Sequence, residues 1–225
     1  MPHADSLALP DNLGKREFYA HVNQTLSALL SPSSPEDPTN FVTCLSNAAS
    51  LLFGSYENYT QGGFGKQDGK RVNWAGFYLI PSLLTRSSSP PSSTSTTTPP
   101  TQLFLGPFHG RPACLSVSLV PPSRSRPVGV CASSFNDNET VVVPDVEARP
   151  GHIACDGVTK SEIVVPISIK IKKQSSGGEA DEEEEEVKVG VLDIDCERLE
   201  AFDEVDTEGL EEFVEVLKKV IKWEL

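Results

Sequence analysis

Residues 162–172, EIVVPISIKIK, and 187–196, VKVGVLDIDC, decide the fold. Both are dense in branched apolar residues and read as strands. Between them, residues 173–186 run KQSSGGEADEEEEE, which contributes nothing to a core. Two strands with a polar spacer predict a hairpin, because lengthening a flexible tip adds little to its closure entropy. Four more strand signals lie upstream: RVNWAGFYLI (71–80), QLFLGPF (102–108), ACLSVSL (113–119) and TVVVPDV (140–146). The first two are separated by a second polar insert, RSSSPPSSTSTTTPP (86–100), read as another hairpin tip.

Helical spacing marks both ends of the chain. Phe18, Val22, Leu26, Leu29 and Leu30 recur at that spacing in the first helix. A second begins near Thr39, with Phe41, Leu45, Ala48, Leu51 and Leu52 on one side and Gly54 as its expected stop. A short helix is expected near Gly129, carrying Cys131. The last helix shows Leu210, Phe213, Val214, Leu217, Val220 and Ile221 as a stripe. Asp203 is its expected N-cap, and Lys218, Lys219 and Lys222 suit the negative end of its dipole. Helices flanking consecutive strands predict an α+β fold, one antiparallel sheet covered by helices. A single domain over 1–225 is expected, with flexible inserts at 86–100 and 173–186.

The net charge is −13, and residues 179–186 alone hold seven carboxylates without a cation. Such a chain repels nucleic-acid backbones and anionic membrane surfaces. No apolar run approaches the ~18 residues of a membrane span. The first residues, MPHADSLALPDNLGKREF, carry charges and prolines where a secretory signal has an apolar stretch. A cytoplasmic location is therefore expected, and the five cysteines read as thiols, metal ligands or redox groups.

Three of those cysteines follow small residues: GRPACL (110–115), VGVCAS (128–133) and GHIACD (151–156). Cys114, Cys131, His152 and Cys155 are zinc ligands by type, but only His152 and Cys155 form a close pair. Redox chemistry needs an accessible thiol and a second one to resolve it. Cys155 sits in PGHIACDG, a segment of turn residues; Cys114 and Cys131 are the candidate resolving thiols. Taken one at a time, each is equally a small buried residue. LDID places Asp193 and Asp195 on one strand face, where like charges cost free energy unless a cation shares them. Glu162, entering the neighbouring strand, can join them. Such a pocket suits a small ligand bearing an ammonium group. Trp74 and Tyr78 share a strand face and are either core or an apolar wall for that ligand.

Six motifs in order, NWAGFYL, LGPFHGRPAC, GVC, PGHIACD, SEIVVPI and GVLDID, resemble those of the free methionine-(R)-sulfoxide reductases, a branch of the GAF-domain family. The resemblance runs from the second helix to the C-terminus, apart from the inserts. It implies a GAF-like six-stranded antiparallel sheet with helices packed against it, no cofactor, and a pocket enclosing free methionine sulfoxide. It further implies Cys155 as nucleophile, a sulfenic acid resolved by Cys114 as a disulfide, and thioredoxin as reductant. Glu162, Asp193 and Asp195 would line the substrate site, with Trp74 and Tyr78 in its wall; a homodimer is also suggested. Two features depart from the pattern. VPPSRSRP (120–127) lengthens the link before GVC, which bears on Cys131 as an alternative resolving thiol, and Cys196 stands where serine is common. A non-catalytic GAF module that binds a small molecule is the competing expectation, and a zinc protein the third.

Overall fold

The computed structural model describes residues 7–32, 34, 39–60, 64, 71–84, 99–121, 123, 127–150, 157–172 and 184–223. Among these, β1 (Val72–Leu79), β2 (Gln102–Gly110), β3 (Ser116–Ser118), β4 (Val141–Val143), β5 (Ser161–Lys172) and β6 (Glu184–Cys196) form one sheet. Its order is β3-β2-β1-β6-β5-β4 and every pairing is antiparallel. The expected hairpin is its longest element, paired from Ser161↔Cys196 out to Lys172↔Glu184. β1 and β6 are central. All eight residues of β1 are buried, which is why VNWAGFYL lacks polar alternation yet forms a strand.

The helices are α1 (Lys15–Leu30), α2 (Phe41–Asn58), α3 (Pro81–Leu84), α4 (Val130–Asp137) and α5 (Glu204–Val220). α2 lies against β1 and β2, α5 against β5, and α1 packs on both helices. The buried residues are the helically spaced ones: Phe18, Val22 and Leu26 from α1, Leu45, Ala48 and Leu52 from α2, Leu210, Phe213 and Leu217 from α5. A polar knot joins the three helices beneath this core. The fully buried Asp206 accepts from Tyr19 Oη at 2.9 Å and from Lys15 Nζ, and the Tyr19 and Tyr56 hydroxyls are 2.7 Å apart. Asp206 also accepts the Asp203 amide at 2.7 Å, while Asp203 accepts from Val205 and Asp206, so the expected cap is a reciprocal box.

Three local expectations differ. α2 runs through Gly54 to Asn58, because that glycine admits Leu7: a Cβ there would lie 2.9 Å from Leu7 Cδ1. Pro81–Leu84 adds the short α3 after β1. Glu184, Glu185 and Glu186, expected in the flexible acidic insert, belong to β6. Their charge is met across the hairpin, where Lys170 pairs with Glu184 at 3.4 Å and Ser168 donates to Glu186. Residues 86–98 and 173–183 of the two inserts lie outside the described residues. No helix among the described residues is long and apolar enough to cross a membrane.

Candidate active site

Strand register builds the site. Glu162 and Trp74 are both Cα partners of Asp195; Val164 and Gly76 are both partners of Asp193. Strand alternation turns these residues to one face of the sheet, and Ile194 and Cys196 to the other. α4 covers the first face. Its first turn carries Cys131, whose thiol donates to Asp193 Oδ2 at 3.3 Å and lies 3.8 Å from Glu162 Oε1. Cys131 is 7% exposed, Glu162 and Asp193 5% each, so three ionisable groups share a site with little contact with bulk solvent.

Their protonation follows. Burial pushes Asp193 up to about 7. Glu162 is driven well above the ordinary carboxylate range by burial and then by the charges of Asp193 and Asp195, with Arg149 pulling the other way. A helix N-terminus favours a thiolate. At Cys131 the opposing effects are larger: burial first, then Asp193 and Glu162, raise it well above its usual value. Cys131 is thus a protonated donor to its carboxylate neighbours.

Cys114, Cys131, Glu162, Asp193 and Asp195 line one cavity of about 70 Å³. At roughly 10–15 Å³ of such space per water, it holds a handful of waters. Cys114 is half-buried and reaches the cavity by a turn that glycine permits. Gly110 ends β2 at φ 116°, and a Cβ there would lie 2.3 Å from the Asn73 carbonyl oxygen. The Tyr78 hydroxyl then donates to the Cys114 carbonyl at 3.0 Å, fixing the backbone at this thiol.

Trp74 and Tyr78, expected as core or as an apolar wall, pack beside the site. Both are on the site's sheet face and buried, but neither is among the residues lining the cavity. Trp74 stacks between Phe108 (5.6 Å) and Tyr78 (5.8 Å), over Gly76, where a Cβ would lie 2.7 Å from its Cη2. Two polar atoms at the site, Asp193 Oδ1 and Trp74 Nε1, are buried without a hydrogen-bond partner among the described residues.

Cys155 and His152 lie in 151–156, outside the described residues, so neither the expected nucleophile nor the mixed Cys/His zinc set is placed. Both flanks of that segment meet the site: Arg149 donates to Ser133 on α4 at 3.2 Å, and Thr159 lines the cavity. Cys44 is buried in α2, as expected of packing. Cys196 is buried on the opposite sheet face, and burial pushes its thiol to about 11. Sequence reasoning missed the β3 residues Ser116, Val117 and Ser118, and also Gly129, Val130 and Thr159. Thr159 had a weak signal, preceding the Glu162 strand; the others depend on how β3 and α4 dock.

A solved GAF domain matches the fold with a TM-score of 0.68 at 34% identity, covering 99% of this chain and 98% of that one. The protein is therefore of the GAF class, with a six-stranded antiparallel sheet and helices on it. No protein-family model matches the chain. The free methionine-R-sulfoxide reductase of Saccharomyces cerevisiae is 36% identical over 217 residues, 96% of this chain and 93% of the relative. The X-ray structure of the Neisseria meningitidis enzyme of that name, in complex with its substrate, is 30% identical with a TM-score of 0.60, covering 93% of this chain and 91% of that one. The chain belongs to the free methionine-R-sulfoxide reductase family.

Proposed function

We propose that this chain reduces free methionine-(R)-sulfoxide to methionine in the cytoplasm. The observation that carries the reading is the buried acidic cavity with two thiols on its wall, in a chain of this family. Glu162, Asp193 and Asp195 receive the substrate ammonium, whose charge offsets the cost of gathering three carboxyls at one site. Its carboxylate faces the head of α4, where no side chain caps the first-turn amides.

In the proposed reaction the Cys155 thiolate attacks the sulfoxide sulfur to form an S–S bond. The oxygen takes up a proton and passes to Cys155 as the S–O and S–S bonds to the substrate sulfur break, so methionine leaves and Cys155 becomes a sulfenic acid. Asp193 and Glu162, held above the ordinary carboxylate range, are acids able to keep a proton for that oxygen near neutral pH. The Cys114 thiolate then attacks the Cys155 sulfur, expelling water and forming a disulfide; Cys131 is the alternative thiol for this step. Two electrons from the dithiol of thioredoxin restore both thiols.

The decisive measurement is methionine released from the R epimer. Cys155→Ser should abolish it, while Cys114→Ser should release about one equivalent and then stop in the presence of thioredoxin. Undiminished turnover by Cys155→Ser would overturn the thiol mechanism. Tight binding of another small molecule without sulfoxide turnover would favour a non-catalytic GAF module.

A further inference from the structure

We infer that the cavity is also a binding site for a thiophilic divalent cation, Zn²⁺ in the first instance, held by Cys131 Sγ, Glu162 and Asp193. Their ligand atoms all lie within 4.8 Å of one another. Zinc bonds of about 2.3 Å to sulfur and 2.1 Å to oxygen, at a tetrahedral angle, separate the S and O ligands by about 3.6 Å. The observed distances from Cys131 Sγ, 3.3 and 3.8 Å, bracket that value. A second observation points the same way. Asp193 is 5% exposed, lines the cavity, and keeps Oδ1 without a hydrogen-bond partner among the described residues, so the carboxylate has a second oxygen to share with a cation by chelation.

The donor set selects among metals. A thiolate with two carboxylates suits Zn²⁺, Co²⁺ or Cd²⁺ and disfavours Mg²⁺ and Ca²⁺, which take oxygen ligands. On binding, the S–H bond breaks, the metal–sulfur bond forms and the proton passes to solvent, with no change of oxidation state. The fourth position opens on the cavity, where water fits. An ion there occupies the place assigned above to the substrate ammonium, so metal and substrate exclude each other. Only this competition rests on the proposed function; the metal site does not.

The test is Co²⁺ titration of the reduced full chain, read by the near-ultraviolet thiolate-to-cobalt absorption and by displacement with Zn²⁺. One equivalent should bind, and the band should vanish in Cys131→Ser but persist in Cys114→Ser and Cys155→Ser. Asp193→Asn and Glu162→Gln should each weaken Co²⁺ at least about tenfold. No band in the native chain, a band that survives Cys131→Ser, or one that depends on Cys155 overturns the site. Should Cys131→Ser fail to fold, unchanged affinity in both carboxylate variants overturns it equally. Competition is read in Cys155→Ser, which holds substrate without turnover: free methionine sulfoxide should displace Co²⁺. Sulfoxide that binds and leaves the band intact overturns exclusion. A native chain that neither binds nor reduces sulfoxide, yet gives the cobalt band, refutes the reductase reading and leaves the metal site standing.

Discussion

Asp193 is held between two requirements. Its place in β6, on the face covered by α4, strips it of water, while a carboxylate is most useful when charged. The unfolded chain releases this proton near pH 4 and the folded protein near 7. Between those values the folded state binds more protons, so stability falls as pH rises through that window. Asparagine carries no such penalty. Asp193→Asn should therefore gain stability over the native chain between pH 5 and pH 8, by an amount on the order of a few kcal/mol. Thermal melts of ligand-free protein at the two pH values check this; a constant difference would refute it. The spacing in LDID revealed that both acids share a face. It did not reveal Cys131 as the donor to Asp193, because that bond depends on where α4 docks, a contact 62 residues apart. The spacing of Trp74 and Tyr78 likewise left core and wall open, since both roles need buried aromatics.

Elements were legible where local chemistry sets them. The apolar stripe of α5 and its Asp203 cap are present as read, since both are written within about one helix length. Removing the cap in Asp203→Ala should cost about 1 kcal/mol. Asp206→Ala should cost more, on the order of 2–4 kcal/mol, because it leaves Tyr19 and Lys15 without their buried acceptor. Urea denaturation of the two variants should rank them in that order. Elements were illegible where a distant partner sets them. Glu184–Glu186 looks like a solvated charge run in isolation, but the Lys/Ser positions across the hairpin make it a strand. Gly54 looks like a helix stop, but Leu7 uses the space it leaves.

At the scale of the molecule, motif order along the chain gave the family, and a sheet with α4 on one face and α1, α2 and α5 on the other gave it depth. The proposed substrate occupies the cavity beneath α4, whose room for a handful of waters leaves none for a polypeptide. Methionine sulfoxide embedded in a peptide should therefore be reduced at a small fraction of the rate for the free compound, measured as methionine formed; comparable rates would contradict an enclosed site. Of the residues around 151–156, Arg149 reaches Ser133 on α4 and Thr159 lines the cavity. Opposite the chemistry lies a different opportunity. Lys172 and Glu184 face each other across the hairpin, so their Cα atoms are only about 5 Å apart. Ten residues of strand, roughly 30 Å, separate that tip from Glu162. A reporter domain whose own ends nearly touch can be grafted between them, and turnover by the resulting chimera should match that of the parent.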